Sequence, residues 1–133
     1  MKKVGALILF LLISLMPFYL LASEIEVTTF IFDPEVPQPG ESVSILIRLA
    51  NKSYDEDIKA TCRLFIDGDL HDVKIVPITR RSSCAVSFSW TAVPGTHTFS
   101  LDMSYYKGNA EMTDTFLQYL TVPGAEEKID YFS

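Results

Sequence analysis

Residues 58–69 read Ile-Lys-Ala-Thr-Cys-Arg-Leu-Phe-Ile-Asp-Gly-Asp, and this stretch decides the fold. Every second residue from Ile58 to Ile66 is apolar, and the residues between them are mostly polar. Because successive side chains of a strand point to opposite faces, one face of this strand enters a core and the other faces water. Asp67-Gly68-Asp69 is typical of a tight turn between two antiparallel strands. The stretch therefore predicts the first strand and the turn of a β-hairpin.

The same alternation recurs on both sides of this hairpin, between clusters of Pro, Gly, Asn and Asp. No long segment after Ile25 has helical periodicity, so the pattern is typical of an all-β sandwich or barrel. The alternation slips near Thr28-Thr29, which indicates a bulge or a strand that crosses between sheets. Seven strands are predicted, near residues 25–32, 41–50, 57–66, 70–76, 84–91, 96–105 and 112–122.

A succession of short motifs extends across about residues 30 to 103. The motifs are Phe32-Asp33-Pro34, Pro37-x-Pro39-Gly40, Val43 with Ile45, Asn51, Leu64-Phe65-Ile66-Asp67-Gly68, Val86-Ser87-Phe88-Ser89-Trp90 and Gly95-Thr96-His97-Thr98-Phe99. This succession resembles a CARDB domain, the cell-adhesion-related domain of bacterial and archaeal surface proteins. The resemblance implies a seven-stranded antiparallel immunoglobulin-like β-sandwich over residues 23–123, working by adhesion or binding rather than catalysis. Arg80-Arg81 departs from the family at a turn, and so does the segment from Tyr105 to Asn109.

The amino terminus has the pattern of an export segment. Lys2 and Lys3 precede an apolar run from Val4 to Ala22. Residues 1–22 are therefore predicted to be a hydrophobic helix that serves as a cleaved signal peptide or a membrane anchor, and the start also loosely resembles a prepilin signal. Each of these interpretations predicts a secreted or cell-envelope protein outside the cytoplasmic membrane. Residues 124–133 have no strand pattern and are predicted to be a flexible carboxyl-terminal tail.

Charge and motifs narrow the function classes. Seventeen acidic and eleven basic residues give a formal charge of −6, so unaided binding of nucleic acid is not expected. No Gly-x-Ser-x-Gly, His-Glu-x-x-His or phosphate-loop motif occurs, so neither an enzyme nor a cofactor is predicted. The expected partner is a surface or envelope protein or a glycan, and the membrane is contacted only through residues 4–22 if they are retained.

Two sets of candidate functional residues remain. Cys62 and Cys84 share the inward phase of their strands, and in an exported chain such a pair is predicted to form a disulfide. An interaction surface is predicted from outward-facing apolar residues if they cluster. These are Leu46, Phe65, Tyr106 and either Leu117 with Tyr119 or Phe116 with Leu120, since the phase of the last strand is ambiguous.

Other features offer alternatives. The acidic clusters Asp55-Glu56-Asp57 and Asp67-x-Asp69-x-x-Asp72 suggest a calcium- or ligand-binding accessory domain, although neither matches a known calcium-loop spacing. Retention of residues 4–22 predicts a membrane-anchored structural subunit of a filament or envelope complex instead. Asn51-Lys52-Ser53 is a formal glycosylation acceptor in an expected loop.

Overall fold

A computed structural model describes residues 24–124 of the chain. The expected signal or anchor helix over residues 1–22 and the expected tail lie outside the described residues, apart from Gly124. Within the described part all regular structure is strand, and no helix there is long and apolar enough to cross a membrane. The strands are β1 (Ile25–Asp33), β2 (Ser42–Asn51), β3 (Ile58–Ile66), β4 (Asp69–Ile78), β5 (Ser83–Thr91), β6 (Gly95–Lys107) and β7 (Ala110–Val122).

The strands form two antiparallel sheets, as expected for a β-sandwich. One sheet has three strands in the order β1-β2-β5, and the other has four in the order β4-β3-β6-β7. The seven predicted strands are confirmed. Most of their ends differ from the predicted ends by one or two residues. The four outermost strands, β1, β5, β4 and β7, each leave one edge without a ladder partner among residues 24–124.

The core lies between the sheets and follows the alternation read from the sequence. Val43, Ile45, Ile47 and Leu49 of β2 are fully buried, and so are Ala60, Cys62 and Leu64 of β3. Phe99, Leu101 and Met103 extend this inner face along β6. Burial of such side chains contributes about 1.5–3 kcal/mol each, which makes this alternation the main determinant of the fold.

Local backbone irregularities coincide with turn and bulge signals in the sequence. The β1–β2 register shifts between Val27 and Thr29, which confirms the predicted bulge, and β1 stays paired with β2 on both sides of it. Asp67 and Gly68 have φ values of 53° and 86°. A tight hairpin turn needs this left-handed conformation at both of its central residues. A second shift, between Leu64 and Phe65, leaves His71 unpaired in β4.

The described chain enters and leaves at opposite ends of the sandwich. The Glu24 backbone N–H donates to the hydroxyl of Tyr105, and the Glu24 carboxylate pairs with Lys107 at 2.6 Å. At the other end Val122, the last residue of β7, lies opposite Gly95, the first residue of β6. Because β6 has thirteen residues, the two ends are separated by about 40 Å along the strands.

Candidate interaction surface and polar clusters

The outer face of the four-stranded sheet carries a row of apolar side chains from β4, β3 and β7, with Ser100 of β6 between those of β3 and β7. Phe65 of β3 lies opposite Leu70 of β4 on one side and opposite Ser100 of β6 on the other. Ser100 in turn lies opposite Leu117 of β7, and Tyr119 projects from the same face two residues later. We call Leu70, Phe65, Leu117 and Tyr119 the apolar strip. Leu70, Leu117 and Tyr119 are 56, 58 and 62% exposed, and Phe65 is half-buried.

The structure resolves the phase of the last strand. Leu117 and Tyr119 face outward, whereas Phe116 packs against the core and Leu120 is buried. The first of the two alternatives read from the sequence is therefore the correct one. The reason is pairing, because β7 lies in register with β6 along its whole length and Phe116 lies opposite the buried Leu101.

The four residues predicted as one surface do not all come together. Phe65 and Tyr119 share the apolar strip, but Leu46 lies on the outer face of the other sheet, where it pairs with Ile31 and is half-buried. Tyr106 is 67% exposed near the β6–β7 turn.

Sequence reasoning missed Leu70 and the other outward apolar residues of β4. Val73 and Ile75 lie opposite Arg63 and Thr61, two outward positions of β3, so they also face water. On the inner phase of the same strand Lys74 lies opposite the buried Cys62. A strand with apolar residues on its outer face and charged residues on its inner face is the reverse of the usual pattern. The only sign of this reversal in the sequence was the placement of charged residues at positions 72 and 74.

Lys74 and His71 reach from β4 to the other sheet. The Lys74 ammonium donates to the carbonyl of Ser87 and lies 5.3 Å from the Phe88 ring centroid. His71 Nε2 lies 2.6 Å from the carbonyl of Ser89, which fixes a proton on that nitrogen. Both carbonyls belong to β5, the edge strand of the three-stranded sheet. Lys74 and His71 thus bond to the β5 edge, which accounts for a lysine on the inner phase of β4.

Asn51 is a buried polar hub and not an accessible loop residue. It ends β2 with 2% of its surface exposed. Its Nδ2 donates to the carbonyls of Glu56 and Ile78, at 2.9 and 3.0 Å, and its Oδ1 accepts from the Ser53 backbone N–H. The expectation that Asn51 lies in a loop is therefore wrong, and its amide nitrogen is engaged and enclosed in the folded chain.

His97 and Asp67 form an ion pair at the end of the sandwich where β6 begins. His97 Nδ1 lies 2.6 Å from Asp67 Oδ2, Nε2 lies 2.7 Å from the carbonyl of Val93, and Trp90 packs edge-on with ring centroids 4.9 Å apart. Carboxylate and carbonyl are both acceptors, so both ring nitrogens must be protonated and the imidazole is a cation. Burial opposes this charge, but the hydrogen bonds to Asp67 and Val93 raise the pKa of His97 above its usual value. The same bond, with that from the Thr98 N–H, lowers the pKa of Asp67.

Three carboxylates of the acidic clusters, those of Asp55, Asp57 and Asp67, are engaged in the protein's own bonds. Asp57 accepts from the Arg80 backbone and guanidinium, which lowers its pKa, and Asp55 accepts from the Ser53 hydroxyl. The Asp67 carboxylate accepts hydrogen bonds from His97 and from the Thr98 backbone N–H. Within residues 24–124 no three His, Cys, Asp or Glu residues gather in a group that could hold a metal ion.

Both cysteines are on inner faces, one in each sheet, and both are free thiols in this structure. Cys62 is fully buried in β3, and Cys84 of β5 is half-buried opposite Leu49. Burial, with a smaller effect of charge on Cys84, raises the pKa of the Cys62 thiol to about 11. The disulfide between Cys62 and Cys84 stays a prediction.

Comparison with known proteins bears on the fold. No protein-family model matches the chain, and no curated protein sequence does. Among solved structures, the chain is similar to a CARDB domain from Pyrococcus furiosus crystallised in complex with di-metal ions. The TM-score is 0.56 and the identity 14%, over 74% of this chain and 90% of that one. The chain is also similar to a beta-glucosidase from Listeria innocua, with a TM-score of 0.51 and an identity of 17%. This match covers 76% of this chain but only 16% of that enzyme. The predicted resemblance to CARDB domains is thus confirmed at the level of the fold.

Proposed function

We propose that this chain is an exported, non-catalytic binding module of the cell surface or envelope, with an immunoglobulin-like sandwich that docks a partner protein on the apolar strip. The observation that carries the proposal is the strip itself, since contiguous exposed apolar residues mark interaction sites whereas scattered ones do not. Its members line up by strand register on the outer face of a single sheet. The likeness to a CARDB domain supports a binding module by analogy of fold.

The chemistry of the strip favours a protein over a glycan. Leu70, Leu117 and Phe65 offer no hydrogen-bonding groups, and Tyr119 offers one hydroxyl. Sugar recognition needs several directed polar groups around an aromatic platform, whereas the centre of a protein interface is apolar and aromatic. Three surface crevices, with volumes of about 540, 660 and 280 Å³, lie elsewhere or touch the strip only at Tyr119.

The test compares wild-type chain with a Leu70→Ser/Tyr119→Ser variant, both immobilised on beads and exposed to intact producing cells. Both positions are more than half exposed, so the variant should fold normally. We expect the variant to bind at least about tenfold fewer cells, since the loss of two apolar contacts weakens binding by more than about 1.4 kcal/mol.

The matched control is Tyr54→Ser/Val93→Ser, which removes two equally exposed apolar side chains away from the strip. Mild protease treatment of the cells should abolish binding, and periodate oxidation of their glycans should not. Equal binding by the strip variant and wild type contradicts docking on the strip, and sensitivity to periodate alone points to a glycan instead.

Export rests on the sequence of residues 1–22. Lys2 and Lys3 before the apolar run favour it, and a second candidate function, a membrane-anchored structural subunit, rests on the same run being long enough to span a bilayer. Sequencing the amino terminus of chain recovered from producing cells separates the two. A start at Ser23 supports the free module, retention of Val4 to Ala22 supports the anchored subunit, and recovery from the cytoplasm contradicts both.

A further inference from the structure

Three of the four open strand edges in the described residues are protected against pairing with another chain. The β1 edge is interrupted by the bulge at Thr28 and is followed directly by Pro34. The β4 edge has the unpaired His71 and a proline at residue 77. The β5 edge has carbonyls that already accept from Lys74 and His71. Bulges, prolines and inward-pointing charges are the means by which proteins keep edges from associating.

The β7 edge has neither a bulge nor a proline, and Asp114 is its one inward-pointing charge. Thirteen consecutive residues, Ala110–Val122, pair with β6 without a register shift. The strand contains no Lys, Arg or Pro, and its charged residues are Glu111 near the start and Asp114. A long, regular and nearly uncharged edge offers a continuous row of backbone donors and acceptors to another strand.

We propose that two copies of this chain associate by antiparallel pairing of β7 with β7, which joins the two four-stranded sheets into one eight-stranded sheet about a twofold axis. An isologous interface of this kind requires a strand whose pattern reads alike in both directions. β7 meets that requirement when the axis passes through Phe116, its central residue, since every residue from Ala110 to Val122 then has a partner.

The inner face of β7 is palindromic about this axis. Its residues Met112, Asp114, Phe116, Gln118 and Leu120 run apolar, polar, aromatic, polar, apolar. In the pair, Met112 lies opposite Leu120 of the second copy, and Asp114 lies opposite Gln118 of the second copy. Apolar side chains therefore meet apolar ones, and the two carboxylates do not face each other.

This register also puts the polar side chains of the inner face opposite each other, Asp114 of one copy opposite Gln118 of the other. The Gln118 amide of the same chain turns to the carbonyl of Phe30 at 3.4 Å.

On the outer face, Leu117 lies opposite Thr115 of the second copy and Tyr119 opposite Thr113. The two apolar strips then run on either side of the new strand junction. The second copy also covers the crevice of about 280 Å³ between β1 and β7, which Phe30, Ile31, Tyr119 and Leu120 line. The dimer is independent of the proposed function, because it requires no ligand.

The test is the oligomeric state of the full chain by sedimentation equilibrium in density-matched detergent. We expect wild type to dimerise reversibly and Thr115→Lys/Leu117→Lys to weaken the dimer at least about tenfold, because each lysine then faces a lysine of the other copy. Both positions face outward, so circular dichroism should show the same fold.

The control is Val73→Lys/Ile75→Lys, which adds the same charges to exposed outward positions at the opposite edge of the same sheet. This control variant should dimerise like wild type. In the wild-type chain, hydrogen exchange of the backbone amides of residues 113–119 should slow as the protein concentration rises. A monomeric wild type overturns the proposal, and so does a dimer that the β7 lysines leave intact. Neither result affects the binding of cells by the apolar strip, which is measured separately.

Discussion

At the scale of single residues, the His97–Asp67 pair gives stability a defined dependence on pH. A histidine whose pKa is raised in the folded state stabilises it fully below the unfolded value of 6.5, and this contribution is lost as pH rises through the folded pKa. Asp67 has a lowered pKa, so its contribution is present above 3.8 and is lost as pH falls through its folded pKa. Together the two leave a window at mildly acidic pH in which the pair stabilises most.

We expect His97→Gln to lower the free energy of unfolding by about 1 kcal/mol at pH 5.5, since Asp67 is half exposed and the ion pair is screened. The difference from wild type should shrink as the pH rises above neutral. Urea unfolding of both proteins from pH 5 to 9 measures it. His71→Gln is the control, and a difference that does not change with pH contradicts a charged His97.

Asn51 is expected to be the most sensitive polar position of the described residues. Asn51→Ala leaves the carbonyls of Glu56 and Ile78 and the N–H of Ser53 without their partner, and we expect a loss of about 2–3 kcal/mol. Lys52→Ala, at the exposed neighbour, should change stability by less than about 0.5 kcal/mol. Equal effects of the two substitutions in denaturant unfolding contradict the hub.

Neither the His97–Asp67 ion pair nor the hydrogen bonds of Asn51 could be predicted from the sequence. Asp67 and His97 are thirty residues apart, and their contact depends on the β3–β4 turn and the start of β6 meeting at one end of the sandwich. Asn51 was part of a recognisable motif, but the motif favoured exposure and the fold buried it. Long-range contacts of polar groups leave no periodic signal, unlike burial, which repeats every second residue.

At the scale of strands, alternation predicted some elements fully and others in part. For β2 the buried residues are those the pattern selects, because β2 is the central strand of its sheet and one face must be covered. For β7 only pairing with β6 fixed the phase, since both alternating sets are apolar around Leu117. For β4, an edge strand barely covered on its inner side, the charged set faces inward, which alternation alone does not anticipate.

The reach of Lys74 to β5 makes a prediction about that edge. Lys74→Ala removes the donor to the Ser87 carbonyl and the contact with the Phe88 ring, so we expect a loss of about 1 kcal/mol and an exposed β5 edge. Light scattering on heating should then show more aggregation than for wild type.

Lys59→Ala is the matched control, because it removes the same charge from the outward face of a central strand. If both variants aggregate alike, net charge and not edge protection is responsible.

At the scale of the whole molecule, the two cysteines would tie one sheet to the other. If the chain is exported as proposed, we expect a Cys62–Cys84 bridge, which closes a loop of about 23 residues and adds about 3 kcal/mol of stability by restricting the unfolded chain. Mass spectrometry after alkylation under denaturing conditions, with and without reductant, counts the free thiols. Two alkylated cysteines without reductant exclude the bridge, and Cys84→Ser shows the stability of the unbridged fold.

The entry of the chain beside Lys107 and its exit beside Gly95 have a mechanical consequence. A pull applied to Glu24 and Gly124 runs along the strands, so the β1–β2 and β6–β7 ladders are loaded in shear and many of their hydrogen bonds must break at once. A sandwich loaded at a single end is unzipped one bond at a time and yields at low force. Under the proposed role at the cell surface, a domain loaded in this way would act as a stiff link under tension.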